Sequence, residues 1–264
     1  MDPDRYLELI GCRSRPEPTF EALAGLQRAH LLSVPFEALD PLLGNPVTVE
    51  KADAYRKVVD ERRGGYCFEL NGLLAWLLEQ LGYDVTLLAA RPIFSDGEMA
   101  PPFAHLTLLV ELERRWLVDV GFGFPFIVAP IDLEERNEQV QDGMRFQIRK
   151  DDDALIAEQL DADGVNAYRF TLEPRQPDQF REICKTFSTS PTASFVRHGP
   201  VTKAFDDGWL RLTRTRLTGK RGTERIDERF ADETQWLDSL RERFGLVVEG
   251  QTVRGQPLGP HGSD

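Results

Sequence analysis

The sequence has little cysteine, no long apolar run and no excess of basic charge. Its three cysteines, Cys12, Cys67 and Cys184, are spread over 264 residues with no C-x-x-C spacing. Neither a disulfide framework nor a thiolate zinc site is supported, and a reducing compartment fits. No apolar stretch approaches the ~20 residues that span a bilayer. The start, Met1-Asp2-Pro3-Asp4-Arg5, lacks the basic and apolar regions of a secretory signal. A cytoplasmic protein that does not enter membranes is therefore expected. A formal net charge of −12 provides no basic footprint for nucleic acid or anionic lipid. Walker A and G-x-G-x-x-G segments are also missing, so no common phosphate-binding loop announces itself.

What is present is 41% hydrophobic residues, enough for one or two buried cores. The first third reads as helical. Phe20, Leu23, Leu26 and Leu31 recur behind Thr19, a suitable N-cap, until Val34-Pro35 stops the pattern. A second helix is predicted over 50–60. The third carries Phe68, Leu70, Leu73, Leu74, Leu77, Leu78 and Leu81 on one broad face and ends at Gly82, which places Cys67 at its N-terminus. Short apolar runs then replace the helical period, at 85–90, 106–112, 116–122, 144–148 and 168–172. Helical character returns at 177–187 and at 232–244, where Gly245 is the stop. The glycine- and proline-rich end, 250–264, is expected to be a mobile tail. The expected division is 1–82 helical, 83–176 β-rich and 177–264 mixed α/β.

Chemistry concentrates in Arg62-Arg63-Gly64-Gly65-Tyr66-Cys67-Phe68-Glu69-Leu70-Asn71. Two glycines permit a tight turn, and the helix that follows points free N–H groups at the sulfur, an environment that favours thiolate. A thiolate nucleophile needs a base, and there are four histidines. His261 lies in the tail, His198 precedes Gly199-Pro200 in a predicted loop, and His30 ends a helix where it would cap carbonyls. His105 stands apart within the apolar run Ala104 to Val110, where an ionisable ring needs a partner. Asp119, inside Trp116 to Gly123, is equally costly to bury alone, and the two could pair. A hairpin with an odd-length loop near Glu113 to Arg115 leaves them about four residues out of line, ~13 Å at strand rise, so a bend, bulge or non-hairpin arrangement is required. Cys12 and Cys184 have no such setting and read as packing residues.

Together these residues resemble the arylamine N-acetyltransferase family. The similarity rests on the stretch Arg63 to Asn71, on Ala104-His105-Leu106-Thr107-Leu108, and on Leu117-Val118-Asp119-Val120-Gly121-Phe122-Gly123. His30 to Glu37 and Phe187-Ser188-Thr189-Ser190-Pro191 with Ser194-Phe195 extend it across roughly residues 4–245. The resemblance implies an α+β fold of N-terminal helical bundle, central β-barrel and C-terminal α/β lid. It also implies a cysteine-protease-like triad of Cys67, His105 and Asp119. The implied reaction is ping-pong: acetyl-CoA acetylates Cys67, and the acetyl group passes to an arylamine, arylhydrazine or N-hydroxyarylamine. Acetyl-CoA is thus the acyl donor, with no metal or tightly bound cofactor. By the same resemblance Phe36 and Phe124 flank the cysteine as pocket walls, against the plainer reading that they are core.

Gly121 and Gly123 could present N–H groups to the CoA pyrophosphate. Arg214, Arg216, Lys220 and Arg221 form the strongest basic cluster, although a solvated hairpin explains it as well. One departure is Tyr6-Leu7-Glu8-Leu9-Ile10-Gly11, where the family often carries arginine. Arg63 is then expected to pair with Glu37, with Arg5 as a substitute for the missing arginine. Competing readings are a related thiol acyltransferase, such as a macrolactam-forming amide synthase, and a non-catalytic binding protein on the same fold. The papain-type C-G-S-C-W setting is absent, which argues against a protease.

Overall fold

Residues 1–124, 127–161 and 166–248 are described by a computed structural model. The tail from 249, with His261, lies outside them. Helix α1 (Pro3–Leu9) begins behind Asp2, whose carboxylate accepts the Asp4 N–H. Helix α2 (Phe20–Ser33) starts where Thr19 Oγ1 accepts the Ala22 N–H at 3.2 Å and stops at Val34, before the proline. A two-residue strand β1 (Phe36–Glu37) and helix α3 (Leu39–Leu43) follow. Helix α4 (Lys51–Tyr55) runs on into a wider π turn over Arg56–Asp60, filling the segment predicted as one helix. Helix α5 (Cys67–Gln80) is the central one. Leu70, Leu73, Leu74, Leu77 and Leu78 are wholly buried along it, and Gly82 takes the left-handed conformation beyond its end.

The middle of the chain forms strands β2 (Asp84–Ile93), β3 (His105–Glu111), β4 (Arg115–Val118), β5 (Ile131–Asp132), β6 (Gln139–Gln141), β7 (Met144–Asp151), β8 (Ala154–Gln159) and β9 (Ala167–Phe170). They make one antiparallel sheet in the order β5-β4-β3-β2-β9-β8-β7-β6, curled into a nearly closed barrel. Leu88, Leu117, Ile131, Phe146, Ile148 and Phe170 fill it. Side chains link the two edges. The Gln139 amide accepts the Asp132 N–H and donates to the Asp132 carbonyl, both at 2.9 Å. Gln141 does the same with Ala129, at 3.0 and 2.8 Å. Each amide reproduces the donor and acceptor that a neighbouring strand would offer. Strand β4 is shorter than the predicted run 116–122, because residues beyond Val118 leave the ladder to meet α5.

The last part contains helices α6 (Arg181–Thr189) and α7 (Ser194–His198), strands β10 (Val201–Phe205), β11 (Gly208–Leu212), β12 (Arg216–Arg221) and β13 (Glu224–Arg229), and helix α8 (Glu233–Ser239). A wider turn carries α8 on to Phe244, and Gly245 stops it in the left-handed region. The second sheet has the order β1-β10-β11-β12-β13, so residues near the N-terminus supply its first strand. One face, with Val201, Leu210, Leu212, Leu217 and Ile226, packs on Leu39, Leu42, Trp236 and Phe244. The other carries Phe36, Ala204 and Trp209 into the main core around α5. The architecture is the expected α+β one of helices, barrel and α/β part.

Candidate active site

The turn before α5 is shaped by contact with β1. A Cβ on Gly64 would lie 2.1 Å from the Pro35 carbonyl oxygen, so only glycine lets the two segments touch. Gly65 bridges to Phe36, and its carbonyl accepts the Glu37 N–H at 2.8 Å. The Tyr66 N–H donates to Glu69 Oε2 at 3.1 Å, which caps the helix. Cys67 is the first residue of α5 and is 4% exposed.

Below this turn lies a buried ionic cluster. Lys57 Nζ is 2.7 Å from Asp40, 2.9 Å from Glu69 and 3.7 Å from Glu37, while Arg63 is 2.8 Å from Glu37 and 3.3 Å from Asp40. The Arg63–Glu37 pair matches the sequence reading. Arg5 does not join it, since it meets Asp60 at the surface. Lys57 was not anticipated. Its signal is a charged residue beside Ala54 and Val58 on the buried side of a helical pattern. Burial pushes the Glu69 carboxyl up to about 7, against the pull of Lys57.

His105 and Asp119 meet without any bulge. Strands β3 and β4 pair Leu108 with Val118 and Glu111 with Arg115, so the turn is centred on Glu113, one residue earlier than expected. Asp119 then falls opposite Thr107, two residues from His105 instead of four, on the same face. A diagonal pair of this kind is ~7–8 Å apart at the backbone, within side-chain reach. His105 Nε2 lies 2.6 Å from Asp119 Oδ2, and neither side chain is more than 3% exposed.

Two residues to which the sequence reading gave no role hold this pair. Asn71 Nδ2 donates to Asp119 Oδ1 at 2.9 Å and to the Leu106 carbonyl at 2.6 Å, while Asn71 Oδ1 accepts the Val120 N–H at 2.9 Å. One amide thereby ties α5 to both strands. The Tyr168 hydroxyl donates to Asp119 Oδ2 at 3.0 Å, and the Tyr168 and Phe122 rings lie 5.1 and 5.2 Å from the imidazole. Asn71 was legible in principle, as a wholly buried amide one helical turn after Cys67; Tyr168, from a distant strand, left no local signal. Burial works to raise the Asp119 carboxyl, but His105, Asn71 and the Gly121 N–H outweigh it and hold the group below its ordinary value.

Gly121 brings this loop onto the nucleophile's helix, since a Cβ there would lie 2.6 Å from Cys67 Cα. Its N–H, expected to face a pyrophosphate, donates to Asp119 Oδ1 at 2.9 Å. Gly123 has φ 86 and lies against the Phe36 ring, 3.5 Å from its would-be Cβ. Phe124 stacks on Trp209 with centroids 4.0 Å apart. In the basic cluster Arg216 pairs with Asp227 and Arg221 with Asp207, each at 2.6 Å, and burial lowers the Arg214 guanidinium. These pairings agree with a solvated hairpin.

The Cys67 thiol departs from the expected low value. Burial pushes it up, the Asp119 charge adds to this, and hydrogen bonds from the Leu106 and Phe68 N–H groups pull the other way. The helix terminus alone does not ionise a sulfur so enclosed. Two other sequence assignments also change. His30 does not cap carbonyls: its ring is buried and Nδ1 shares a hydrogen bond with the Tyr6 hydroxyl at 2.8 Å. His198 ends α7 and does not lie in a loop. Cys184 is buried, with Sγ 3.1 Å from the Tyr66 hydroxyl.

A family model described as N-acetyltransferase matches residues 19–253. The chain is 38% identical to the arylamine N-acetyltransferase of Mycolicibacterium smegmatis over 253 residues, 93% of this chain and 92% of that one. A solved structure of the M. smegmatis arylamine N-acetyl transferase matches with a TM-score of 0.89 at 34% identity, over 96% of each chain. The Mycobacterium marinum arylamine N-acetyltransferase, solved in complex with CoA, matches at 0.86 and 31% over 92% of each. Fold and family together make this chain an acyltransferase. It belongs to the arylamine N-acetyltransferase family.

Proposed function

We propose that the protein takes an acetyl group from acetyl-CoA onto Cys67 and passes it to an arylamine, arylhydrazine or N-hydroxyarylamine. The buried His105–Asp119 pair, locked to the nucleophile's helix by Asn71, is the observation that carries this reading. Asp119 occupies Nε2 of the ring, which leaves Nδ1 for the sulfur. His105 takes the proton of Cys67, and Asp119 stabilises the imidazolium that forms. The sulfur attacks the acetyl carbonyl, the C–S bond to CoA breaks, and the CoA sulfur leaves with the proton from His105. In the second half His105 accepts a proton from the incoming amine as its nitrogen attacks the acetyl carbon, and Cys67 is released. A flat aromatic acceptor suits the walls offered by Phe36 and Phe124. The charge of −12 and three unpaired cysteines support a cytoplasmic enzyme acting on small molecules.

The test is intact mass after incubation with acetyl-CoA alone. Wild type gains one acetyl group, lost on adding an arylamine, and Cys67→Ser gains none while remaining folded. A wild-type chain that stays unmodified would overturn the proposal.

A further inference from the structure

Helix α5 is fastened at two points, one on each side of Cys67. After it, Asn71 ties the helix to the strands that carry His105 and Asp119. Before it, the turn rests on two carboxylate side chains. A Cβ on Gly64 would lie 2.8 Å from Glu37 Cγ, and one on Gly65 would lie 2.9 Å from Glu69 Cβ and 3.0 Å from Glu69 Oε2. Packed this closely, the turn moves only if those side chains move. Cys67 is the first residue of the helix, where backbone hydrogen bonds are fewest and ends fray. What fixes the first turn therefore fixes the sulfur.

The Glu69 carboxylate uses both oxygens for this. Oε2 accepts the Tyr66 N–H at 3.1 Å, and Oε1 accepts from Lys57 Nζ at 2.9 Å, with a longer contact of 3.2 Å from Nζ to Oε2. Lys57, 6% exposed, also stands 2.7 Å from Asp40 on α3 and 3.7 Å from Glu37 on β1. One ammonium thus ties the cap of the nucleophile's helix to two other elements. Burial pushes the Glu69 carboxyl up, helped by the Glu37 charge, while Lys57 and the Tyr66 N–H pull it down. Without Lys57 the group is a neutral acid at pH 7, a weaker acceptor for the Tyr66 N–H and free to turn from it.

We propose that Lys57 is a positioning residue for the nucleophile: through the Glu69 carboxylate it holds the first turn of α5 so that Cys67 stands against His105. The proposal rests on the reading of Cys67 as the acyl carrier.

The test follows alkylation of the Cys67 peptide by iodoacetamide against pH, which reports the Cys67–His105 pair without any acyl donor. Three carboxylates and two cations give the cluster a formal charge of −1. Glu69→Gln keeps the side chain's shape and brings the cluster to neutrality, but its amide has one acceptor oxygen where the carboxylate has two. In Glu69→Gln and in Lys57→Gln alkylation at pH 7 slows about tenfold, short of the ~10²-fold that a full ångström of misplacement can cost, and the profile moves to higher pH. Acetylation at saturating acetyl-CoA slows with it, while the half-saturating concentration stays. The double variant Lys57→Gln/Glu69→Gln recovers most of both rates. Its amide at 57 accepts from the amide at 69, whose oxygen keeps the Tyr66 N–H, and the charge returns to −1. A folded Glu69→Gln with the wild-type profile overturns the proposal, as does a folded double variant no faster than the single ones. Should Lys57→Gln unfold, Glu69→Gln decides alone, since it adds no unbalanced charge. If alkylation follows the expected pattern while wild type takes no acetyl group from acetyl-CoA, the acyltransferase reading fails and the positioning of Cys67 stands.

Discussion

His30 has its ring wholly enclosed, and burial lowers it from an ordinary 6.5 to about 3. Between those values the unfolded chain binds a proton that the folded chain refuses, so stability is complete above pH 6.5 and declines as pH falls toward 3. His30→Gln, whose amide can pair with the Tyr6 hydroxyl as donor or acceptor, should flatten the dependence of the urea midpoint on pH over that window. An unaltered slope would locate the acid sensitivity elsewhere. At the triad, Asp119→Asn is expected to lower kcat by ~10⁴, since the amide no longer fixes the tautomer or stabilises the imidazolium. Intact-mass acetylation kinetics measure this directly. Lys57 faces three carboxylates, two of which Arg63 also meets. Lys57→Met leaves buried charge uncompensated and should cost about 3–5 kcal/mol in denaturant unfolding.

At the scale of elements, the loop after β4 decides whether the triad assembles. A methyl group at Gly121 would meet backbone at Cys67, which has no room to yield. Gly121→Ala should cost about 1–3 kcal/mol and lower acetylation of Cys67 at least ~10²-fold. A thermal shift and a single-turnover assay check the two effects. This loop also shows how far the sequence can be read. Helix boundaries were legible because Thr19, Val34-Pro35 and Gly82 act through local sterics and caps, and Cys67 was legible because it stands at such a boundary. Strand positions 106–112 and 144–148 followed from apolar runs. Register did not, since a turn centred on Glu113 or on Arg114 leaves the same apolar pattern. That one residue shifted the His105–Asp119 offset from four to two. Tyr168 and the Lys57 cluster are long-range placements, set by packing between elements and not by any neighbour in the chain.

For the molecule as a whole, the barrel is held at its seam by four side-chain hydrogen bonds from Gln139 and Gln141. Replacing both with leucine should cost about 1 kcal/mol for each bond lost at most. Faster hydrogen exchange at Ala129 and Asp132 would report the opened edge. The second sheet sets an order of events. Phe36 pairs with Thr202, and the loop ahead of Cys67 leans on the strand that Phe36 begins. On the ribosome α5 can coil soon after it emerges, yet β1 has no partner until β10 has been synthesised. The nucleophile's surroundings are completed by a strand that appears more than 130 residues after Cys67. A nascent enzyme halted before residue 201 would therefore carry its cysteine and both partners and still be unable to shelter an acyl group.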